Sequence, residues 1–153
     1  MTTTTTTDDA TLEANREIVR QYVASWNAND LALLETLVAP DVIDHGAYEG
    51  QPSGFVGYVD FYRVWHAGFP GFHCTLLDLI AEGDRVAMRW RFDGVHGGEW
   101  SGIAATGRRV RFHANSIVRI ANGKIQEEWI SWDEHQLLEQ VHGLVPVADP
   151  STT

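Results

Sequence analysis

The chain of 153 residues has the length of one domain, enough for a single substantial core. Its 44% hydrophobic and 21% charged residues are ordinary for a globular protein. Eleven basic against 21 acidic residues leave a net charge of −10, which disfavours nucleic acid and anionic membrane as partners and reads as a solvated acidic exterior.

The N-terminal run Thr2 to Thr7, followed by Asp8-Asp9, has neither the basic flank nor the apolar segment of a signal peptide. Residues 1–10 are expected to be a disordered tail, residues 146–153 a second one, and 11–145 the domain between them. Leu12, Ile18, Val19, Tyr22, Val23 and Trp26 recur near a helical period and predict a helix over 11–27. Asn29-Asp30 breaks that pattern and caps a second helix, Leu31 to Val38, which ends before Pro40. A short segment Val42 to His45 follows, then a loop punctuated by Gly and Pro through Gly54. A third helix is predicted from Phe55 to Ala67, stopped by Gly68 and Pro70.

From there the period changes to two. Strands are predicted over His73 to Ala81 and Arg85 to Gly94, joined by Glu82-Gly83-Asp84. Residues 95–107 are glycine-rich, with Trp100 and Ile103 as apolar anchors. A strand from Arg108 to Ile120 meets a strand from Lys124 to about Trp132 through Asn122-Gly123, a strong hairpin signal. A closing helix, Asp133 to His142, ends at Gly143 in the C-cap position. Helices first and hairpin-linked strands afterwards predict an α+β domain. Its antiparallel sheet of about four strands is covered by three N-terminal helices.

No apolar stretch approaches the roughly 20 residues that span a bilayer. The single cysteine, Cys74, sits in an apolar run and reads as a buried structural thiol rather than a nucleophile. It excludes an internal disulfide and suits a reducing cytoplasm, the expected location. Lys124 is the only lysine and lies at the hairpin turn, which argues against Schiff-base chemistry. No pattern such as His-Glu-x-x-His appears, and no Gly-x-Gly-x-x-Gly or P-loop, so neither metal nor cofactor is expected.

The passage Gly94 to Ile103 and Ala105 to Val110, containing Gly94-Val95-His96-Gly97-Gly98-Glu99-Trp100, resembles the "GTH.GE" passage of the SnoaL-like polyketide cyclase family. Ile117 to Trp129, with Asn122-Gly123-Lys124-Ile125, resembles that family's "FRI.DGKI.EHW" hairpin. Asp133 and Leu137-Leu138-Glu139-Gln140 are similar to its closing helix, and Tyr22 to Asn27 and Pro40 to His45 also fit. The resemblance covers roughly residues 15–145. It implies a strongly curved sheet and a cone-shaped α+β barrel around an internal pocket. It also implies homodimers built by pairing sheet faces.

The resemblance further implies an acid/base Asp on the last strand with a His on the strand before it, as in the family's ring cyclases. Matched through the hairpin, those positions are Ile130 and Ser116. Isoleucine moves no proton, so the usual aldol mechanism is in doubt. Strand parity then puts Phe112, Ala114, Gln126, Glu128 and Trp132 on the pocket face with them. Glu128 is the best-placed carboxylate, unless it pairs with Arg119 across the hairpin. Asp44 beside His45 is a second acid/base candidate, unless it serves the loop. His66 on the third helix and Ser116 complete the polar candidates, while His113 faces away and His96 is structural. Trp65, Trp90 and Trp132, with Ile130, Phe112, Tyr62 and Phe69, are the expected substrate-binding residues, although bulky core packing explains them equally.

The favoured activity is a cofactor-independent cyclase of bacterial secondary metabolism acting on an apolar, polyketide-like molecule. An aromatic pocket would shape the substrate for cyclisation, and a pericyclic reaction would tolerate Ile130. A hydrolase or isomerase using Glu128 or Asp44 as base, and a binding module without chemistry, are the alternatives.

Overall fold

The computed structural model describes residues 8–147. Within them lie helices α1 (Asp9–Ala28), α2 (Leu31–Leu37), α3 (Gly54–Gly68) and α4 (Glu134–His142). The strands are β1 (Val38–Asp44), β2 (His73–Glu82), β3 (Arg85–Val95), β4 (Arg109–Ala121) and β5 (Lys124–Trp132). The tails expected at 1–10 and 146–153 fall largely outside the described residues, and α1 already begins at Asp9, capped by the Asp8 side chain.

Local chemistry sets most boundaries. Asp30 accepts from Leu33 N at 2.9 Å and starts α2. Asp133 accepts from Gln136 N at 2.8 Å and starts α4. Gly143, at φ 74°, takes the left-handed C-cap that ends it. Asn122 and Gly123 both have positive φ, as a type I′ turn between two right-twisted strands requires.

The strands form one sheet in the order β1-β5-β4-β3-β2. The α+β class stands, and the sheet differs from expectation in three ways. It has five strands rather than about four. The added strand, β1, runs parallel to β5, so the sheet is mixed. It is also open, because β1 and β2 are its two edges rather than partners. Pro40 explains why β1 is hard to read: proline suggests an end to the helix, yet an edge strand tolerates a residue without an N–H.

A bulge in β5 corrects the strand parity. Ile120 pairs with Ile125 and Arg119 with Glu127, leaving Gln126 as the extra residue. Its side chain turns back to the Ala121 carbonyl at 2.9 Å instead of joining the pocket face.

The helices cover the inner face and divide the core. One cluster joins Val19, Tyr22, Leu34, Tyr58, Val86 and Val118. The other joins Trp65, Phe69, Phe72, Phe92, Phe112 and Leu137. Val23, Trp26 and Trp90 touch both. The glycine-rich passage after β3 is pinned to the end of α3, where Gly97 and Gly98 both donate to the Gly68 carbonyl at 3.0 Å. A Cβ on Gly98 would stand 2.0 Å from the Ala67 carbonyl oxygen, so only glycine permits that approach. His96 is fully buried there, its Nδ1 3.0 Å from Thr106 Oγ1.

Candidate active site

A cavity of about 70 Å³ lies where the two core clusters meet. Its polar end is built from three elements. Tyr22 of α1 donates to Glu128 Oε2 at 3.1 Å. Tyr58 of α3 donates to the same oxygen, and the two tyrosine hydroxyls hydrogen-bond each other. Arg119 turns to the outer face and pairs with Glu127 at 2.9 Å, so it does not neutralise Glu128.

Burial pushes the Glu128 carboxyl up to about 7, and the negative charge of Asp44 adds to the rise. The hydrogen bonds from Tyr58, Tyr22 and Ser116 oppose it without cancelling it. Burial and the Glu128 charge hold both tyrosine hydroxyls well above their ordinary range. They therefore remain protonated donors at neutral pH.

Asp44 enters the cavity from the end of β1. The parallel register pairs it with Glu128, so both side chains leave the sheet on the same face. Its Oδ1 accepts from Gly46 N at 2.8 Å and its Oδ2 from Gln51 Nε2 at 3.1 Å. It also borders an outer groove of about 510 Å³ with Pro40, Gln51 and Pro52, which puts it between cavity and surface.

The other end is aromatic. Phe72, Phe92 and Phe112 stack with centroids 4.8 Å apart at each step, and Trp65 meets Trp132 edge-on at 5.5 Å. Cys74 lines this end as well, its thiol pushed by burial to about 12, which leaves no thiolate for chemistry. An apolar cavity of about 150 Å³ accepts a single benzene. A polyketide-sized ligand therefore enters this smaller space only as lining side chains swing aside.

Glu128, Asp44, Trp65, Trp90, Trp132, Ile130 and Phe112 all line the cavity, where the sequence reading placed them. Four other candidates stand outside that lining. Tyr62 packs on Trp26 at 4.8 Å and points its hydroxyl at the Ser25 carbonyl, away from the cavity. Phe69, just past the end of α3, is fully buried beside Trp65, Phe92 and Trp100. His66 stacks between Tyr62 and Phe72 at 4.3 and 4.6 Å; burial lowers its pKa, so it is neutral. Ser116 backs the wall and accepts from the Trp90 indole N–H at 3.2 Å.

The sequence reading missed Tyr22, Tyr58, Trp26, Phe72 and Phe92, all of which line the cavity. A signal for some of them was present: Tyr22 and Trp26 are four residues apart, and Tyr58, Phe61 and Trp65 follow at helical spacing, marking one face of each helix. Among the described residues, no three His, Cys, Asp or Glu side chains come together as a metal ion needs.

The family model described as SnoaL-like polyketide cyclase matches residues 16–141. The chain belongs to the SnoaL-like polyketide cyclase family. Solved structures agree on its cone fold. AclR of Streptomyces galilaeus, a hydroxylase candidate, is 28% identical with a TM-score of 0.76, over 88% of this chain and 99% of its own. TsrD of Streptomyces laurentii is 26% identical with a TM-score of 0.78, over 88% and 97%. IdmH of Streptomyces antibioticus, a polyketide cyclase candidate, is 28% identical with a TM-score of 0.74, over 84% and 98%. None of the curated proteins compared matches the chain.

In this SnoaL-like chain Ile130 is a wall residue. A Cβ on Gly46 would stand 2.4 Å from Ile130 Cγ2, so the turn after β1 closes directly onto that side chain. The carboxyl groups of Glu128 and Asp44 line the same cavity.

Proposed function

We propose that this SnoaL-like protein is a cofactor-independent cyclase acting on a polyketide-like intermediate of bacterial secondary metabolism. The aromatic end grips the unsaturated part of the substrate and sets its folded shape. Glu128 meets a substrate oxygen at the polar end and supplies the proton or hydrogen bond there.

The observation that carries this reading is the buried Glu128, raised to about 7 and bonded by Tyr22 and Tyr58 at one end of an aromatic cavity. A carboxyl needed only for stability gains little from burial without a cation, whereas one near neutrality can both give and take a proton. In support, IdmH of Streptomyces antibioticus is a polyketide cyclase candidate, and the chain shares its fold.

The test is turnover of a panel of linear and partly cyclised polyketide intermediates, read as mass-neutral product formation. Glu128→Gln is expected to lower kcat at least about 100-fold while substrate still quenches tryptophan fluorescence. The protonated acid is the working form, so the wild-type rate is expected to fall as pH rises through about 7. Ligand binding without turnover by the wild type would make the protein a binding module instead.

A further inference from the structure

The cavity and the outer groove meet at one short stretch of chain. Between β1 and α3 the sequence His45-Gly46-Ala47-Tyr48-Glu49-Gly50-Gln51-Pro52-Ser53 is rich in Gly, Pro and polar side chains and forms neither helix nor strand. None of these residues is buried, and Gln51 alone is half-buried. A segment that buries so little apolar surface is held by its hydrogen bonds and opens at low cost. Its ends are fixed. The His45 N–H continues the β1–β5 ladder to the Glu128 carbonyl at 2.9 Å. A Cβ on Gly57 would stand 1.7 Å from the Pro52 carbonyl oxygen, so the other end is packed tightly on α3. Between those ends Gln51 closes the stretch. Its N–H donates to the Tyr48 carbonyl at 3.0 Å, its Oε1 accepts from Tyr48 N at 3.3 Å, and its Nε2 reaches back to Asp44 Oδ2 at 3.1 Å.

Gly46 and Asp44 line the cavity of about 70 Å³, while Asp44, Ala47 and Gln51 line the outer groove of about 510 Å³. Most of the remaining cavity wall belongs to the two core clusters. There α1 and α3 are joined by the Tyr22–Tyr58 hydrogen bond and by Trp26 against Phe61 at 6.2 Å. Parting those helices exposes core, whereas lifting residues 46–51 breaks the hydrogen bonds that Gly46, Ala47 and Gln51 make to Asp44. We propose that residues 46–51 are a strap that gates the cavity, latched by Gln51 on Asp44, and that a flat apolar ligand passes from the outer groove past Asp44; this rests on the reading of the cavity as the ligand site. Gly46 presses on Ile130 when the strap is down. As the strap lifts, the Ile130 side chain is free to swing aside and give the room that the closed cavity lacks.

A disulfide that holds the strap shut tests the gate. A Cβ on Gly46 would stand 3.9 Å from Ile130 Cβ, within the span that a disulfide bridges, and Ile130→Cys removes the Cγ2 that crowds it. The probe is 2-naphthol, a flat bicyclic molecule, and its association rate is read in stopped flow by quenching of the cavity tryptophans. The oxidised Gly46→Cys/Ile130→Cys protein should bind naphthol at least about 30-fold more slowly than the same protein after reduction. Gln51→Ala removes the latch and should speed association about fivefold, the worth of one net hydrogen bond. Equal rates for oxidised and reduced protein overturn the gate and leave the cavity reading intact, and so does a Gln51→Ala rate equal to that of the wild type. If thiol titration shows that the pair does not close, or if its reduced form binds no naphthol, the Gln51→Ala rate decides alone. If the wild type binds no naphthol, the gate and the cavity reading both fall.

Discussion

A carboxyl that titrates near 7 in the folded chain and near 4.5 when solvated binds more protons native than unfolded between those values. Its contribution to stability is therefore full below about pH 4.5 and is lost as pH rises through about 7, by roughly 3 kcal/mol. Glu128→Gln keeps the shape and the acceptor for Tyr58 but cannot ionise. We expect its unfolding free energy to lack the decline that Glu128 gives the wild type, as the difference between denaturant titrations of the two from pH 4 to 8 would show. His66 and His96, both shifted down by burial, give an opposite slope near pH 6 in both proteins and cancel in the difference. Parallel curves for the two would mean that Glu128 is not a buried acid. Glu128 itself was legible from strand parity, because β5 alternates from Glu127 to Trp132. Tyr22 and Tyr58 were not, since nothing in sequence says that residues 36 apart share one carboxyl oxygen.

The helices and the antiparallel strands followed from their periods, caps and the Asn122-Gly123 turn. The parallel strand β1 and the bulge at Gln126 did not, because both depend on a partner strand far along the chain. The tie between α1 and β2 belongs to the same class. The Asn27 side chain acts as a strand partner for Cys74: it donates to the carbonyl at 2.8 Å and accepts from the N–H at 2.7 Å. Because β2 is an edge strand, Cys74 has no strand partner on that side. Asn27→Ala leaves two backbone groups unpaired and is expected to cost about 2 kcal/mol in chemical denaturation. A loss under about 0.5 kcal/mol would show that water replaces the amide.

Across the outer face of the sheet, Ile80, Ala87, Ile117 and Trp129 stand in one register row over four strands. Ile80 is 67% exposed and Ile117 42%. The next row carries Glu82, Arg85, Arg119 and Glu127, and Arg85 lies over the Trp129 ring at 5.3 Å. An apolar row beside charges of both signs suits a second copy of the same face, and we propose a homodimer through it. Sedimentation should give twice the 17.1 kDa chain mass, with Ile117→Lys shifting it to monomer. A wild type that sediments as monomer at high concentration would dismiss the dimer. Among the described residues, no helix is long and apolar enough to cross a membrane.

The sequence by itself determined the α+β class, most element boundaries, the family and the face on which Glu128 lies. Each of these rests on local periodicity, capping chemistry or a motif read in order. Only the tertiary structure decided what Glu128 is. Its raised pKa comes from the removal of water by α1, α3 and β1, and its partners arrive from Tyr22, Tyr58 and Asp44 on those three elements. Matched through the hairpin, the position where the family resemblance implies an Asp is Ile130. Which carboxyls face the cavity beside it depends on the junction of β1 and β5, a contact between segments more than 80 residues apart along the chain.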